Sequence, residues 1–125
     1  ITVDNVKKIR AKVILELGNG PVTVDADKVL YKKGIKVIPD VLANGGGVTV
    51  SYFEWKQNLE NKYWTKEEVN TKLEKIMRKN TSEVIRTAKK HKVSTRLGAY
   101  ILSISRIAKK AKRELDDEHC WREYF

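Results

Sequence analysis

Residues 11–39 read AKVILELGNGPVTVDADKVLYKKGIKVIP, and this stretch decides the fold. It contains two short apolar runs, residues 11–17 and 35–39, which have the length of strands and are bounded by loop-forming residues. Between them, Thr23 is placed to cap a helix and Gly34 is placed to end it. The order strand, helix, strand within about 30 residues predicts a parallel βαβ unit with a right-handed crossover.

The rest of the chain is predicted to be mainly helical. Residues 40–55 fit either a strand or a helix. We interpret them as a helix because the residues of one helical face recur at three- and four-residue spacing, namely Val41, Asn44, Val48, Ser51 and Trp55. Thr65 and Glu68 have capping-box spacing and begin a long helix, which a second helix follows before a tail at residues 116–125. The stripes predicted to be buried are Val69, Leu73, Ile76, Met77, Val84, Ile85 and Ala88 in the first long helix, and Leu97, Tyr100, Ile101, Ile104, Ile107, Ala108 and Ala111 in the second.

The positive charge of the chain is unevenly distributed. Residues 1–55 hold 8 basic and 6 acidic side chains, a net +2, whereas residues 56–125 hold 18 and 10, a net +8. One functional class is therefore a basic helical module that binds nucleic acid, although such charge runs are usually solvated helix faces. With 34% charged and 41% hydrophobic residues, the chain is expected to fold as one domain or as part of one.

Cysteine and histidine are scarce in this sequence. The single Cys120 has no partner within the chain, which fits a reducing compartment. Because no membrane span or signal peptide is recognisable, we expect a cytoplasmic protein. His91 and His119 are too far apart to form a metal site with one cysteine, so no metal is expected.

Loops rich in glycine and asparagine follow both predicted strands. Residues 18–20 follow the first strand, and residues 44–47 come soon after the second. Because the carboxyl ends of parallel strands meet at one rim, Asn19 and Asn44 are predicted to project toward the same ligand site. An amide both donates and accepts hydrogen bonds, which suits a carboxamide or a ribose hydroxyl. The alternative is that both asparagines are ordinary turn residues.

Three blocks carry a resemblance to a known family: ELGNGP at residues 16–21, VIPDVLANGGGVTVSYFEW at 37–55 and RLGAY at 96–100. Together they resemble the glutamate, leucine, phenylalanine and valine dehydrogenases, and they are most similar to glutamate dehydrogenase. The resemblance implies an α/β fold, namely the second half of a Rossmann-like parallel sheet domain followed by long C-terminal helices. Residues 1–60 would form the partial nucleotide-binding unit, and residues 61–115 the helices packed on it.

The resemblance also assigns roles to five residues. The family positions that match Gly18, Asn19 and Asn44 lie beside the nicotinamide cofactor, and those that match Val48 and Ser51 line the amino-acid pocket. NAD or NADP is therefore the implied cofactor, with L-glutamate and 2-oxoglutarate as substrates. A Ser51 hydroxyl can donate to the side-chain carboxylate of glutamate, although a helical serine more often bonds the carbonyl one turn back.

Several parts of such an enzyme have no match here. Residues 18–21 are not the dinucleotide fingerprint, because proline follows where a helix-opening run and a third glycine are needed. By the resemblance, the catalytic lysine and aspartate also lie in an N-terminal part that precedes Ile1. We therefore expect a C-terminal fragment of a homohexameric enzyme, with no catalytic residue of its own and no activity when isolated.

Overall fold

The computed structural model describes residues 1–116 and shows an α/β chain with one small parallel sheet. Asp116 is the last residue of the final helix, and the rest of the predicted tail lies outside the described residues. In chain order the elements are a 3-10 turn at Val6–Lys8, β1 at Val13–Leu15, α1 at Val24–Lys32, β2 at Lys36–Ile38, α2 at Asp40–Ala43, α3 at Gly45–Glu60, α4 at Lys66–His91 and α5 at Thr95–Asp116.

The predicted parallel βαβ unit is confirmed. Strands β1 and β2 pair in parallel, with Ile14 opposite Val37. The Thr23 hydroxyl accepts the Ala26 N–H at the start of α1, and Gly34 follows the helix with a φ of +72°. Each strand is shorter than the apolar run that predicted it, since the ladder spans only three residue pairs. The buried core on this unit consists of Val6, Ala26, Leu30 and Val37.

The helical interpretation of residues 40–55 is confirmed, but two helices share this segment. Asn44 separates α2 from α3, with φ −89° and ψ −4°. Pro39 precedes α2, where its fixed φ suits a helix start and its missing N–H costs nothing. The break places the Asn44 side chain where α3 begins, close to the carboxyl end of the sheet.

Helix α4 begins with the predicted capping box. The Thr65 hydroxyl accepts the Glu68 N–H at 3.2 Å, and the Glu68 carboxylate accepts the Thr65 N–H at 2.7 Å. Val84 and Ala88 of the predicted stripe are buried, whereas Ile85 is exposed. No helix in the described part of the chain has an apolar stretch long enough to cross a membrane.

Helix α5 packs on α4 through a different face from the predicted one. Gly98 and Ala99 are buried at the crossing, and a Cβ on Gly98 would lie only 2.8 Å from the Cβ of Ala88. Helices that approach this closely need small side chains at the contact. The larger apolar side chains therefore point away, and Ile104 and Ile107 are 64% and 69% exposed. Ile101 is half-buried, and the prediction of burial is wrong for the other members of the stripe, namely Leu97, Tyr100, Ile104, Ile107, Ala108 and Ala111.

Candidate functional site

The two asparagines predicted at the rim are in direct contact. The Asn44 Nδ2 group donates to Asn19 Oδ1 at 2.6 Å, across 25 residues of sequence. Asn19 is exposed and Asn44 is half-buried, so the pair is open to a ligand from the solvent side. The bond consumes one donor of Asn44 and one acceptor position of Asn19, which leaves the Asn19 amide hydrogens and the Asn44 carbonyl oxygen to face an incoming group.

The glycines beside this pair keep the rim open. A Cβ added at Gly18, Gly45 or Gly47 would meet no atom within 4 Å. Gly20 has a φ of +58°, which a side chain would strain, so the loop between β1 and α1 needs glycine at that position. A flat ring can therefore approach the backbone on both sides of the amide pair.

The two residues predicted for the amino-acid pocket lie along α3. Val48 and Ser51 follow Asn44 by four and seven residues, which places all three on one helix face. Val48 is 71% exposed. The Ser51 hydroxyl donates to the Gly47 carbonyl at 3.2 Å, the local alternative that its helical position suggested. The structure thus brings Asn19 and Asn44 together and sets Val48 and Ser51 on the face that leads away from them.

A charged cluster that sequence reasoning missed lies directly behind the rim and consists of Arg96, Glu16, Asp27 and Asp40. Arg96 donates to both carboxylate oxygens of Glu16, from Nη1 at 2.9 Å and Nη2 at 2.5 Å. It also donates to Asp27 at 3.1 Å and lies 3.5 Å from Asp40. The Glu16 side chain is 0% exposed and that of Arg96 is 15% exposed. The signal was present, because Glu16 and Arg96 belong to two of the blocks quoted for the family resemblance.

Asp40 joins this cluster to the loop that carries Asn19. Its Oδ2 accepts the Gly20 N–H at 2.8 Å, and its own N–H donates to Glu16 at 2.8 Å. The Gly20 hydrogen bond lowers the pKa of the Asp40 carboxyl, with smaller contributions from the Val41 N–H and Arg96, against the opposing effect of burial. The hydrogen bond between the Arg96 guanidinium and Glu16 raises the pKa of Arg96. Asp40 is therefore a carboxylate throughout the neutral range.

This lowered pKa predicts an acid-dependent loss of stability. The pKa of Asp40 in the folded chain lies below its unfolded value of about 3.9. The ionised Asp40 carboxylate therefore contributes to the stability of the fold above that pH, and this contribution is lost as the pH falls through the folded pKa. The Asp40→Asn variant should be less stable than the wild type at pH 7, and this difference in stability, the gap between the two proteins, should become smaller below pH about 4. Thermal unfolding midpoints across this range measure the gap, and a gap that stays constant contradicts the expectation.

The sequence pattern of the Glutamate/Leucine/Phenylalanine/Valine dehydrogenase family matches residues 1–114. The chain belongs to this family. It is 46% identical to the glutamate dehydrogenase of Thermotoga maritima over 109 residues, which cover 87% of this chain and 26% of that protein. It is 45% identical over 112 residues to a catabolic NAD-specific glutamate dehydrogenase of Bacillus subtilis, covering 90% of this chain and 26% of that protein. The chain thus spans about a quarter of the length of the curated relatives it matches.

Solved dehydrogenase structures share the fold of this chain. The crystal structure of glutamate dehydrogenase from Peptoniphilus asaccharolyticus matches with a TM-score of 0.86 and 42% identity, over 91% of this chain and 29% of that one. A hetero-hexameric glutamate dehydrogenase from Thermus thermophilus, in its leucine-bound form, matches with a TM-score of 0.81 and 32% identity, over 85% of this chain and 26% of that one.

The chemistry of the rim is compatible with one end of the nicotinamide cofactor that the family resemblance implies. The amide pair and the open glycines suit the carboxamide, the flat ring and the ribose hydroxyls. Residues 1–116 contain no glycine fingerprint for the pyrophosphate and no group of three His, Cys, Asp or Glu side chains that could hold a metal ion.

Proposed function

We propose that this chain is the C-terminal quarter of an NAD- or NADP-dependent glutamate dehydrogenase. The complete enzyme converts L-glutamate to 2-oxoglutarate and ammonia by oxidative deamination. The observation that carries the proposal is the contact between Asn19 and Asn44 at the carboxyl end of a parallel sheet. The names of the relatives, which are glutamate dehydrogenases, support it.

The proposal includes the organisation of the complete protein. Residues 1–60 form the second half of a Rossmann-like nucleotide-binding domain, and residues 61–115 form helices packed on it. The exposed side chains of Val13 and Leu15 lie on one face of β1, and because parallel sheets are normally covered on both faces, they support further structure from the N-terminal part packed on this face in the complete protein. The assembly is a homohexamer in the cytoplasm, a reducing compartment that suits a chain with one cysteine.

Each residue of the candidate site has a distinct part in this function. NAD or NADP, when bound, accepts a hydride from the substrate. Gly18 leaves room for the cofactor, while the free groups of Asn19 and Asn44 hold its nicotinamide end in one orientation. Val48 lines the amino-acid pocket. The Ser51 hydroxyl turns from the Gly47 carbonyl to donate to the substrate side-chain carboxylate.

Kinetics of the polypeptide that combines this chain with the N-terminal part would test the function. We expect reduction of NAD or NADP with L-glutamate, and no reduction by the 125-residue chain alone. Asn44→Ala should raise the KM for the cofactor about tenfold, because the ring loses an orienting amide. Asn58→Ala is a matched control, since Asn58 lies on the same helix roughly 21 Å from Asn44. Activity of the complete polypeptide on leucine but not glutamate would overturn the proposal.

A further inference from the structure

We propose that Arg96 is a positioning residue for the nicotinamide end of the cofactor, acting through Asp40 on both asparagines of the rim. The inference rests on the proposed function, because the role of the asparagine pair in cofactor binding belongs to that proposal. Arg96 itself does not reach the ligand. Its side chain is 15% exposed and is surrounded by three carboxylates behind the rim.

Arg96 holds together three elements that converge on the site. It lies in the first turn of α5 and reaches Glu16 after β1, Asp27 in α1 and Asp40 at the start of α2. The two-pronged contact with Glu16 fixes the plane of the guanidinium group. The hydroxyl of the adjacent Thr95 donates to the Val37 carbonyl of β2, which fixes the start of α5 against the sheet. The guanidinium therefore has one defined position relative to both strand ends.

Asp40 transfers this position to both asparagines. Its side chain accepts the Gly20 N–H at 2.8 Å, one residue after Asn19. Its backbone carbonyl accepts the Asn44 N–H at 3.0 Å. A shift of Asp40 would therefore move Asn19 through the Gly20 N–H and Asn44 through its own N–H. The 2.6 Å hydrogen bond between the two asparagines would then lengthen or break.

The cluster depends on the shape of the guanidinium group as well as on its charge. Glu16, Asp27 and Asp40 give three carboxylates to one guanidinium, a net −2 if all are ionised. The planar guanidinium fork bonds both oxygens of Glu16 and reaches Asp27 in one fixed plane, whereas the lysine ammonium is a compact charge whose three donors have no fixed plane. Arg96→Lys keeps the charge but removes the fork, so Asp40 should lose its fixed position without the removal of the cation.

The first test measures the loop without any cofactor. Amide hydrogen exchange of the complete polypeptide should be faster at residues 18–20 in Arg96→Lys than in the wild type. Arg106→Lys is the matched control, since Arg106 also joins α5 to an acidic side chain, but its bonds are to Glu83 and Asn80 of α4 and not to Asp40 or the loop at residues 18–20. Exchange at residues 18–20 should be unchanged in the control. Unchanged exchange in Arg96→Lys would overturn the proposal.

The second test separates positioning from folding by a double-mutant cycle on cofactor binding. Calorimetric titration with NAD or NADP should show a Kd about tenfold higher for Arg96→Lys than for the wild type. In an Asn44→Ala background the same change should have little further effect, because the amide pair through which Arg96 acts is already absent. Additive effects of the two substitutions would overturn the positioning role.

The two tests distinguish the failure of this inference from the failure of the proposed function. A wild-type polypeptide that binds the cofactor, with an Arg96→Lys variant that binds it equally well, contradicts the positioning role alone. A wild-type polypeptide that binds neither NAD nor NADP contradicts the proposed function and the inference together. A fall in the bound fraction at unchanged Kd would show that Arg96→Lys only reduces the folded population, and it would also overturn the positioning role.

Discussion

Arg96→Met is expected to lower the free energy of unfolding by about 3–5 kcal/mol, the largest effect of any single substitution considered for this chain. The variant removes the only guanidinium that contacts Glu16, Asp27 and Asp40 among the described residues, and Glu16 has no exposure to water. A buried charge without its partner costs far more than the intact pair contributes. Denaturant unfolding of the wild type and the variant measures the difference.

A second substitution tests this cause. Adding Glu16→Gln to Arg96→Met removes one unpaired negative charge while keeping the volume and an acceptor for the Asp40 N–H. The double variant should therefore recover part of the lost stability. If the double variant is less stable than Arg96→Met, the cost comes from lost packing and not from the uncompensated carboxylate.

Gly98→Ala should destabilise the contact between α4 and α5 by about 1–3 kcal/mol. An added methyl group would lie 2.8 Å from the Cβ and 2.9 Å from the backbone nitrogen of Ala88, so the helices must move apart. This cost exceeds the gain of roughly 1 kcal/mol that alanine normally brings to a helix interior. Thermal or denaturant unfolding measures the change.

Two further variants control the Gly98 experiment. Gly47→Ala makes the same exchange in a helix where a Cβ meets nothing within 4 Å, and it should stabilise by about 0.4–1 kcal/mol. Adding Ala88→Gly to Gly98→Ala removes the methyl group that clashes, although the Ala88 backbone remains close. This pair should regain part of the stability. Equal stabilisation by Gly98→Ala and Gly47→Ala would show that the helices do not approach as closely as described.

Local sequence signals predicted most of the fold. Thr23, Gly34 and the capping box of Thr65 and Glu68 act within a few residues of themselves, so they determine helix ends without tertiary contacts. The parallel pairing of β1 and β2 followed from the order of elements. The packed face of α5 was not predictable in this way, because hydrophobicity favours Ile104 while close approach favours Gly98.

The candidate site was likewise predictable from the sequence only in part. The meeting of Asn19 and Asn44 could be predicted, because both follow strands whose carboxyl ends share one rim. Spacing could not predict the Arg96 cluster, since Arg96 and Glu16 are 80 residues apart, and the one signal in the sequence was that both residues lie in blocks quoted for the family resemblance. The binding roles of Gly18, Val48 and Ser51 stay predictions from the family resemblance.

The base of α5 is attached at two neighbouring points, the charged cluster at Arg96 and the close crossing at Gly98. The helix has 22 residues and so extends roughly 33 Å from that base. Arg106, ten residues after Arg96, bonds Asn80 and Glu83 of α4, so α5 is restrained against a tilt around the base as far as this residue. Ile104 lies between these attachments and Ile107 directly follows the last of them, so a rotation of about 5° beside the asparagines would shift these exposed side chains by only about 1 Å.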